Sequence, residues 1–318
     1  MEEHIVNLDL PVDKRWDFLR VYKEEMDALL ECYLNDFRSA EYLFDSIHQY
    51  KQELVTFTYL EEIEFISSFS KFSTTEVLIA NLYYDILKFY FGCTAFAVNH
   101  EDTILHARNL DWHTENNLLS RHSRIFNFQE NGKTLFKTVG WAGFLGALSG
   151  VKPGKFSLTL NAVESDEPPE VAYPISFLLR DVLELSNSFQ DAKEKLEKIT
   201  IACDCLILLS GVTPDEKVVI ERTPKRYATR GTQEDFIVVT NDYKTLGNNV
   251  LTDDSSLLQA TSCGRYDRAI ELLQRAKPES AGECLHLLQD DKVQMEITVQ
   301  QMVFNNKTGD VTLVKANV

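Results

Sequence analysis

Long hydrophobic runs are absent from the sequence, and so is an N-terminal targeting signal. No apolar stretch reaches the roughly 18 to 20 residues that a membrane-spanning helix needs. The segment from Met1 to Val6 is acidic and has neither the basic nor the apolar region of a secretory signal. No Gly/Ser-rich linker, internal repeat or low-complexity segment is present. We therefore predict a cytoplasmic protein without a spanning segment or a flexible domain boundary.

Cysteine is scarce as well. Six cysteines among 318 residues are too few for a scaffold that depends on disulfide bonds. Cys203 and Cys205 share one face of an apolar, strand-like run, which indicates two buried thiols. No CxxC pair and no His/Cys spacing has the pattern of a zinc site. The sequence thus predicts a reducing compartment, no metal and no cofactor.

Positive charge is in short supply. The chain has 32 Lys and Arg against 49 Asp and Glu, a net charge of −17. A protein with this balance repels nucleic acid and anionic membrane surfaces unless it carries a local basic patch. We therefore expect no nucleic-acid partner.

The composition that remains is that of an ordinary soluble protein, 44% hydrophobic and 25% charged. The length suits one large domain or two modest ones with a sizeable core. Residues 13–50 repeat apolar positions at helical spacing. Ser73 and Glu76 have the pattern of a capping box, which opens a helix that should run to about residue 91. The chain up to Gly92 is therefore predicted to be mostly helical.

After Gly92 the pattern changes to short strands separated by turn signals such as Asn131-Gly132 and Pro153-Gly154. Two helical segments, 174–198 and 264–276, interrupt the strands. The predicted strands cover 93–99, 103–108, 124–130, 134–139, 145–150, 156–162, 204–210, 217–222, 236–240, 295–304 and 310–315. This order predicts an α+β layered sandwich, with a helical N-terminal segment followed by a large antiparallel β region.

The residues most suited to chemistry follow Gly92. Cys93 opens a strand-like run that extends to Val98, and Arg108 and Asp111 lie in a second run. If the two runs are neighbouring antiparallel strands, the thiol, the guanidinium and the carboxylate share one pocket. Buried charges are costly unless they are paired, so the arginine and the aspartate indicate either a salt bridge or a site-directed role. Taken alone, Cys93 also fits a structural cysteine at the start of a core strand.

Several segments occur in the order found in a known family of enzymes. They are Gly92-Cys93-Thr94, His106 to Asp111, Phe156 to Asn161, Val218 to Arg222 and Thr240-Asn241, with further matches at Val6 to Pro11, Arg15-Trp16, Asn81 to Asp85 and Phe136 to Gly154. Together they resemble the acid ceramidase and N-acylethanolamine acid amidase family. That family belongs to the choloylglycine-hydrolase branch of the N-terminal nucleophile (Ntn) hydrolases. The resemblance covers nearly the whole chain.

The resemblance implies a fold and a maturation step. The fold is the Ntn-hydrolase αββα sandwich, two antiparallel sheets flanked by helices. Autoproteolysis in this family cuts the bond before the cysteine, which here is Gly92–Cys93. Residues 1–92 would then be a helical pro-segment or α-subunit. Residues 93–318 would be the catalytic domain, or the β-subunit of a heterodimer made from one chain.

The same resemblance implies a mechanism for a small-molecule acyl-amide substrate. The released α-amine of Cys93 has a reference pKa near 8 and can act as the base for the adjacent thiol. The thiolate attacks a linear amide and forms a thioester. Asp111 orients the α-amine, and Arg108 lowers the pKa of the thiol.

Three further residues complete the site that the resemblance implies. Asn241 donates its side-chain amide to the oxyanion, and Asn161 holds the substrate amide or assists the same oxyanion hole. Arg265 supports the nucleophile. Without the resemblance, the two asparagines would be interpreted as turn formers at strand ends and the arginine as a surface helix residue.

The sequence departs from the family pattern after Asn161, and two of its apolar segments are candidates for an acyl pocket. Family members carry Asn-Glu-Arg where this chain has Asn161-Ala162-Val163-Glu164, so the glutamate is missing or displaced to Glu164. The apolar segments from Tyr173 to Leu185 and 83–91 are able to line a pocket for the acyl chain of a lipid amide, or they belong to the ordinary core.

Two other functions also agree with the sequence. The chain could be an uncleaved, inactive homologue that binds lipids or regulates another protein. It could also be a cysteine–histidine peptidase, in which His106 would act as the base.

Overall fold

The strands of the protein form two stacked sheets in a computed structural model that describes residues 3–37, 47, 53–86, 91–168, 170–247 and 257–316. The strands are β1 Glu3–Asn7, β2 Phe91–His100, β3 Thr103–Trp112, β4 Ser123–Glu130, β5 Lys133–Trp141, β6 Ser149–Lys152, β7 Phe156–Asn161, β8 Cys205–Ser210, β9 Lys217–Arg222, β10 Tyr227–Gly231, β11 Phe236–Val239, β12 Thr298–Asn305 and β13 Val311–Lys315. The helices are α1 Val12–Arg15, α2 Lys23–Asp36, α3 Phe57–Ser67, α4 Thr74–Asn81, α5 Tyr83–Ile86, α6 Leu118–His122, α7 Ile175–Leu185, α8 Phe189–Lys198, α9 Leu257–Arg275 and α10 Ala281–Leu288. Short 3₁₀ turns cover Asp17–Tyr22 and Glu115–Asn117.

The order of the strands shows a four-layer sandwich. The larger sheet runs β1-β4-β5-β6-β7-β8-β9-β10, and the smaller runs β11-β2-β3-β12-β13. Helices α7 and α8 pack on the larger sheet, whereas α9 and α10 pack on the smaller one. The predicted αββα sandwich is therefore confirmed. Every described strand pair is antiparallel except β1 with β4, which is parallel.

Strand β2 lies at the centre of the sandwich, and its side chains alternate between two environments. Ala95 and Ala97 face the larger sheet, where they pack in one cluster with residues such as Leu206. Phe96 and Val98 face the opposite side and pack against α9 and α10. Because successive side chains of a strand point to opposite faces, small residues on the inner face let the sheets approach while large ones anchor the helices.

The N-terminal segment contributes both a strand and part of the main core. Strand β1 adds to the edge of the larger sheet beside β4. Trp16 and Met26 belong to the same buried cluster as Phe136 and Leu178 from the later part of the chain. The helical prediction is confirmed over much of the segment, but β1 was not predicted. The predicted helix positions 38–46, 48–50 and 87–90 lie outside the described residues.

Other differences concern the ends of elements. Strand β2 begins at Phe91, so the Gly92–Cys93 bond lies inside the strand rather than before it. The predicted helix 174–198 is two helices, because Ser188 caps the second by accepting a hydrogen bond from Asp191 N at 3.1 Å. Strand β10 and helix α10 were not predicted. Among the described residues, no helix combines the length and the apolar character that crossing a membrane requires.

A buried ion pair joins the N-terminal helices to the rest of the protein. Glu62 of α3 and Arg180 of α7 form a bidentate pair with N–O distances of 2.5 and 2.9 Å, and both side chains are almost fully buried. The guanidinium also donates to Leu145 O at 3.0 Å and lies 4.9 Å from the ring centroid of Tyr59. Such a pair is well compensated as it stands, but the loss of one partner leaves an uncompensated buried charge.

We predict that Glu62→Gln lowers the free energy of unfolding by about 3 to 5 kcal/mol, because Arg180 stays charged and buried. Replacing both residues, as Glu62→Met with Arg180→Met, should cost less than either single change. Urea unfolding followed by circular dichroism measures both. Glu194→Gln, which removes one partner of the exposed pair with Lys198, is the control and should leave the transition midpoint in place. Equal losses in Glu62→Gln and in the control would contradict a stabilising role for the buried pair.

Candidate active site

The hairpin of β2 and β3 places Cys93 next to Arg108. The two predicted strands are antiparallel neighbours, with Cys93 opposite Leu110 and Ala95 opposite Arg108. Cys93 and Arg108 therefore lie on one face, two register positions apart. Nη2 of Arg108 donates to Sγ of Cys93 at 3.2 Å, and both side chains are buried.

The guanidinium of Arg108 is held from the opposite sheet. Nη1 donates to Leu148 O at 3.0 Å and to Oγ of Ser149, while Nη2 donates to Leu160 O. These acceptors lie on or beside β6 and β7, so the arginine bridges the two sheets. All of them are neutral, and a buried cation among neutral acceptors favours an anion nearby.

The pKa of the Cys93 thiol reflects two opposing influences. Burial raises this pKa above its ordinary value, and Arg108 lowers it by its charge and its hydrogen bond; Asp111 raises it, and Arg265 lowers it. The lowering by Arg108 that the resemblance implied is present, but burial outweighs it. In the described state the thiol is therefore protonated at neutral pH, and an added base would be needed to ionise it.

Asp111 lies on the neighbouring strand, opposite Gly92. Its Oδ1 accepts a hydrogen bond from Oγ1 of Thr298 at 2.5 Å. Its Oδ2 is buried and has no hydrogen-bond partner among the described residues. Burial raises the pKa of Asp111, whereas Arg265, the Thr298 hydroxyl and Arg108 lower it. The site thus contains an unused carboxylate oxygen beside the Gly92–Cys93 bond.

Arg265 and Asn241 hold the backbone of Cys93. Nη1 of Arg265 donates to Cys93 O at 2.6 Å and to Oγ1 of Thr94 at 2.9 Å, and Nη2 donates to Oδ1 of Asn241 at 2.8 Å. That same Oδ1 accepts from the backbone N–H of Cys93 at 3.1 Å. Nδ2 of Asn241 donates to Ala162 O at 2.7 Å. Since an amide NH₂ has two hydrogens, one is left for an oxyanion.

Asn161 has a different pattern of hydrogen bonds. Its Nδ2 donates to Thr240 O at 2.8 Å and to Val239 O at 3.3 Å, so both amide hydrogens are used. Its buried Oδ1 has no partner in the described part of the chain. This arrangement suits an acceptor for a substrate N–H better than a donor to an oxyanion.

The structure brings all six predicted side chains into one cluster, and it adds three hydroxyl residues that were assigned no role. Ser149 accepts from Arg108, Thr298 donates to Asp111, and Ser262 accepts from Asn241 N at 2.9 Å. Glu221 also supports the cluster, because it accepts backbone N–H bonds from 244–246, just after Asn241. Glu221 lies in the segment Val218 to Arg222 that matches the family, which was the available signal. Nothing in the sequence distinguishes Ser149 or Thr298 from other strand residues.

His106 lies on the inner face of β3, two residues from Arg108, in a separate polar network. Its Nδ1 is 2.9 Å from Oγ of Ser210 and 2.8 Å from Oγ of Ser157, and its Nε2 is 2.8 Å from Oγ1 of Thr159. Burial, followed by the charge of Arg108, lowers the pKa of His106 to about 3. With both ring nitrogens bound to hydroxyls, His106 does not serve Cys93 as a base.

A cavity of about 540 Å³ adjoins the cluster beside Arg265. Its walls come from the start of α9 and from the loop before β12, including Thr261, Met295 and Ile297. The described residues of the two segments predicted to line an acyl pocket, 83–86 and Tyr173 to Leu185, do not line this cavity. Phe177 is buried in the main core, while 87–90 lie outside the described residues. In the part of the chain that the structure describes, no group of three His, Cys, Asp or Glu side chains could hold a metal ion.

The fold and the cluster together define a class of protein. Two stacked sheets between helical layers, with a cysteine near the start of a central strand, are the Ntn-hydrolase arrangement. The structure resembles that of a Caenorhabditis elegans N-acylethanolamine-hydrolyzing acid amidase ortholog with a TM-score of 0.58 and 24% identity, over 69% of this chain and 94% of that one. At this identity the likeness shows the fold.

Sequence comparison then shows the family. The model of the acyl-coenzyme A:6-aminopenicillanic acid acyl-transferase family matches residues 98–312. Acid ceramidase of Balaenoptera acutorostrata scammoni is 32% identical over 250 residues, which cover 69% of this chain and 62% of the relative. Acid ceramidase of Bos taurus is 29% identical over 289 residues, 79% of this chain and 72% of the relative. The chain belongs to the acid ceramidase and N-acylethanolamine acid amidase family of choloylglycine hydrolase-like Ntn hydrolases. It spans somewhat less than two thirds of the first of these relatives.

We predict that stability falls as the pH is lowered from about 6.5, because unfolded histidine takes up a proton there while folded His106 stays neutral until about pH 3. The free energy of unfolding should lose up to about 1.4 kcal/mol per pH unit from this residue. Urea unfolding at pH 7 and at about pH 5 measures the slope.

His106→Gln should reduce this pH dependence, whatever its stability at neutral pH. His286→Gln, at an exposed position, is the matched control. Equal slopes in His106→Gln and the unsubstituted protein would show that His106 does not stay neutral.

Proposed function

We propose that this protein is a cysteine amidohydrolase that cleaves a linear carbon–nitrogen amide bond of an N-acyl lipid. The observation that carries the proposal is the contact between Nη2 of Arg108 and Sγ of Cys93 at 3.2 Å, with an unpartnered Asp111 carboxylate oxygen across from Gly92. A thiol beside a buried cation is suited to become a thiolate. It needs a base, and a free α-amine at Cys93 would supply one.

The first step of the proposed mechanism is autoproteolysis of the Gly92–Cys93 bond. Sγ of Cys93 attacks the carbonyl carbon of Gly92, the bond to the Cys93 nitrogen breaks, and that nitrogen takes a proton. Water then hydrolyses the Gly92 thioester, which frees the thiol. The backbone N–H that donates to Asn241 in the intact chain becomes an amine. The unpartnered Oδ2 of Asp111 is placed to accept a hydrogen bond from this amine.

Acylation follows in the cleaved protein. The α-amine takes the thiol proton, and the thiolate attacks the carbonyl carbon of the substrate amide. The second amide hydrogen of Asn241 donates to the oxyanion, and Oδ1 of Asn161 accepts the substrate N–H. The tetrahedral intermediate collapses when the α-ammonium passes its proton to the leaving amine. The products of this step are a free amine and a thioester on Cys93.

Deacylation reverses these proton transfers. The α-amine takes a proton from water as the water oxygen attacks the thioester. The carbon–sulfur bond breaks, the thiol recovers its proton, and a carboxylic acid leaves. Throughout both half-reactions Arg108 stabilises negative charge on sulfur, and Arg265 holds the carbonyl of Cys93 in place.

The proposed acyl group is a fatty chain, and the amine is that of a ceramide-like or N-acylethanolamine substrate. Support comes from the relatives, which are acid ceramidases, and from the amidase whose structure shares the fold. The N-terminal fragment would stay bound as an α-subunit after cleavage, because β1 and α3 are built into the larger sheet and the main core.

We predict that Cys93→Ala abolishes both cleavage and turnover. Intact mass spectrometry of the unsubstituted protein, incubated across a range of pH, should show fragments 1–92 and 93–318 that co-elute in gel filtration. The variant should stay whole and should not hydrolyse a panel of N-acylethanolamines and ceramides. Cys284→Ala, at another buried thiol, is the matched control and should cleave normally. An unsubstituted chain that stays whole and inert would favour the lipid-binding alternative, and turnover by Cys93→Ala would refute the nucleophile.

We also predict that Asp111→Asn lowers kcat by roughly 100-fold or more, because the neutral amide no longer holds the α-ammonium. Its effect should be measured on protein that mass spectrometry shows to be cleaved. Unchanged kinetics in the cleaved variant would remove Asp111 from the site.

A further inference from the structure

Thr298 occupies a special position at the start of β12. It is fully buried and lies opposite Asp111, at a point where the register between β12 and β3 shifts. A bulge of this kind re-aims one side chain relative to the regular alternation of the strand. Here the bulge turns the side-chain hydroxyl of Thr298 toward the carboxylate of Asp111 on the neighbouring strand.

The hydrogen bonds of Thr298 direct its proton toward Asp111. Its Oγ1 accepts from the backbone N–H of Met295 at 3.0 Å, and its own backbone N–H donates to Met295 O at 3.0 Å. These two bonds close a short turn that fixes the hydroxyl oxygen. The hydroxyl then donates to Oδ1 of Asp111 at 2.5 Å, a short distance that is typical of a donor to an ionised carboxylate.

The consequence for Asp111 is that its two oxygens differ. Oδ1 is occupied by Thr298, while Oδ2 is buried without a partner among the described residues. The charged or titratable groups that act on this carboxylate are Arg265 of α9, Arg108 of the same strand and Cys93 of β2. Rotation of the carboxylate about its own axis would break the Thr298 bond, so the orientation of Oδ2 depends on that bond.

We propose that Thr298 is a positioning residue for the amidase reaction: its hydroxyl fixes the Asp111 carboxylate so that Oδ2 receives the α-amine of Cys93. This inference rests on the proposed function. The hydroxyl also favours the ionised form of Asp111 over the neutral acid, whose formation burial would otherwise promote. Thr298 therefore contributes both the orientation of the carboxylate and its charge near neutral pH.

The test compares Thr298→Val, which has nearly the same shape without the hydroxyl, with Thr298→Ser, which keeps the hydroxyl. Both are measured as cleaved protein, with intact mass as the check. Loss of the hydrogen bond raises the pKa of Asp111, so the acid limb of the kcat/KM profile in Thr298→Val should move to higher pH by roughly one unit. Its kcat should fall by about tenfold, with KM nearly unchanged. Thr298→Ser should keep the profile of the unsubstituted enzyme.

A double-mutant cycle shows whether Thr298 acts through Asp111. In an Asp111→Asn background, Thr298→Val should cause no further loss of kcat. The inference would be overturned if the pH profile of kcat/KM in Thr298→Val is not shifted. It would also be overturned if Thr298→Val lowers kcat by the same factor in the Asp111→Asn background as in the unsubstituted enzyme. If Thr298→Val does not fold, Thr298→Ala replaces it in the same comparison. The activity of the unsubstituted protein separates the two hypotheses. If the unsubstituted protein has no amidase activity, the proposed function is refuted. If it is active but the Thr298 variants have the same kinetics, only this inference is refuted.

Discussion

The buried guanidinium of Arg108 is the interaction on which the site depends. It starts from the smaller sheet, donates to Leu148 and Leu160 on the larger sheet, and still reaches Sγ of Cys93. A cation in this position must be compensated by the groups around it, and its acceptors are dipoles rather than carboxylates. The sandwich therefore provides a place where negative charge on sulfur is stabilised before any substrate arrives. A shift of one sheet against the other would remove these acceptors, which hold the guanidinium in place.

A second cation, Arg265, lies on the other side of strand β2. It holds the carbonyl of Cys93, the hydroxyl of Thr94 and the side chain of Asn241, so it fixes the backbone where Arg108 contacts the sulfur. Because Oδ1 of Asn241 accepts from both Cys93 N and Arg265, the amide of Asn241 has one possible orientation. Arg108 thus contacts the side chain of Cys93, and Arg265 holds its main chain.

Local sequence patterns were sufficient to predict strands β2 and β3, but they did not predict the edge strands β1 and β10. The short apolar runs 93–99 and 103–108 predicted two strands, and the structure pairs them as antiparallel neighbours. Strand β1 could not be predicted in this way, since it is five residues long and its partner β4 lies more than a hundred residues away. Cys93, Arg108 and Asp111 were singled out from the residues themselves, whereas the roles of Asn161, Asn241 and Arg265 came from the resemblance to a family. From residue patterns alone, Arg265 was interpreted as a surface residue. Thr298 could not be distinguished from other strand residues, because its position depends on a bulge in the pairing between β3 and β12.

The position of β1 has a consequence for solubility. At the edge of the eight-stranded sheet, β1 occupies the hydrogen-bonding groups of β4 that an unprotected edge would offer to another chain. The opposite edge, β10, is short and partly exposed, and it carries Arg230. Short, charged edges resist pairing with other molecules. A fragment that lacked residues 3–7 would leave the backbone hydrogen-bonding groups of the eight-residue strand β4 unpaired on that side, so the first strand also shields β4 from pairing with another chain.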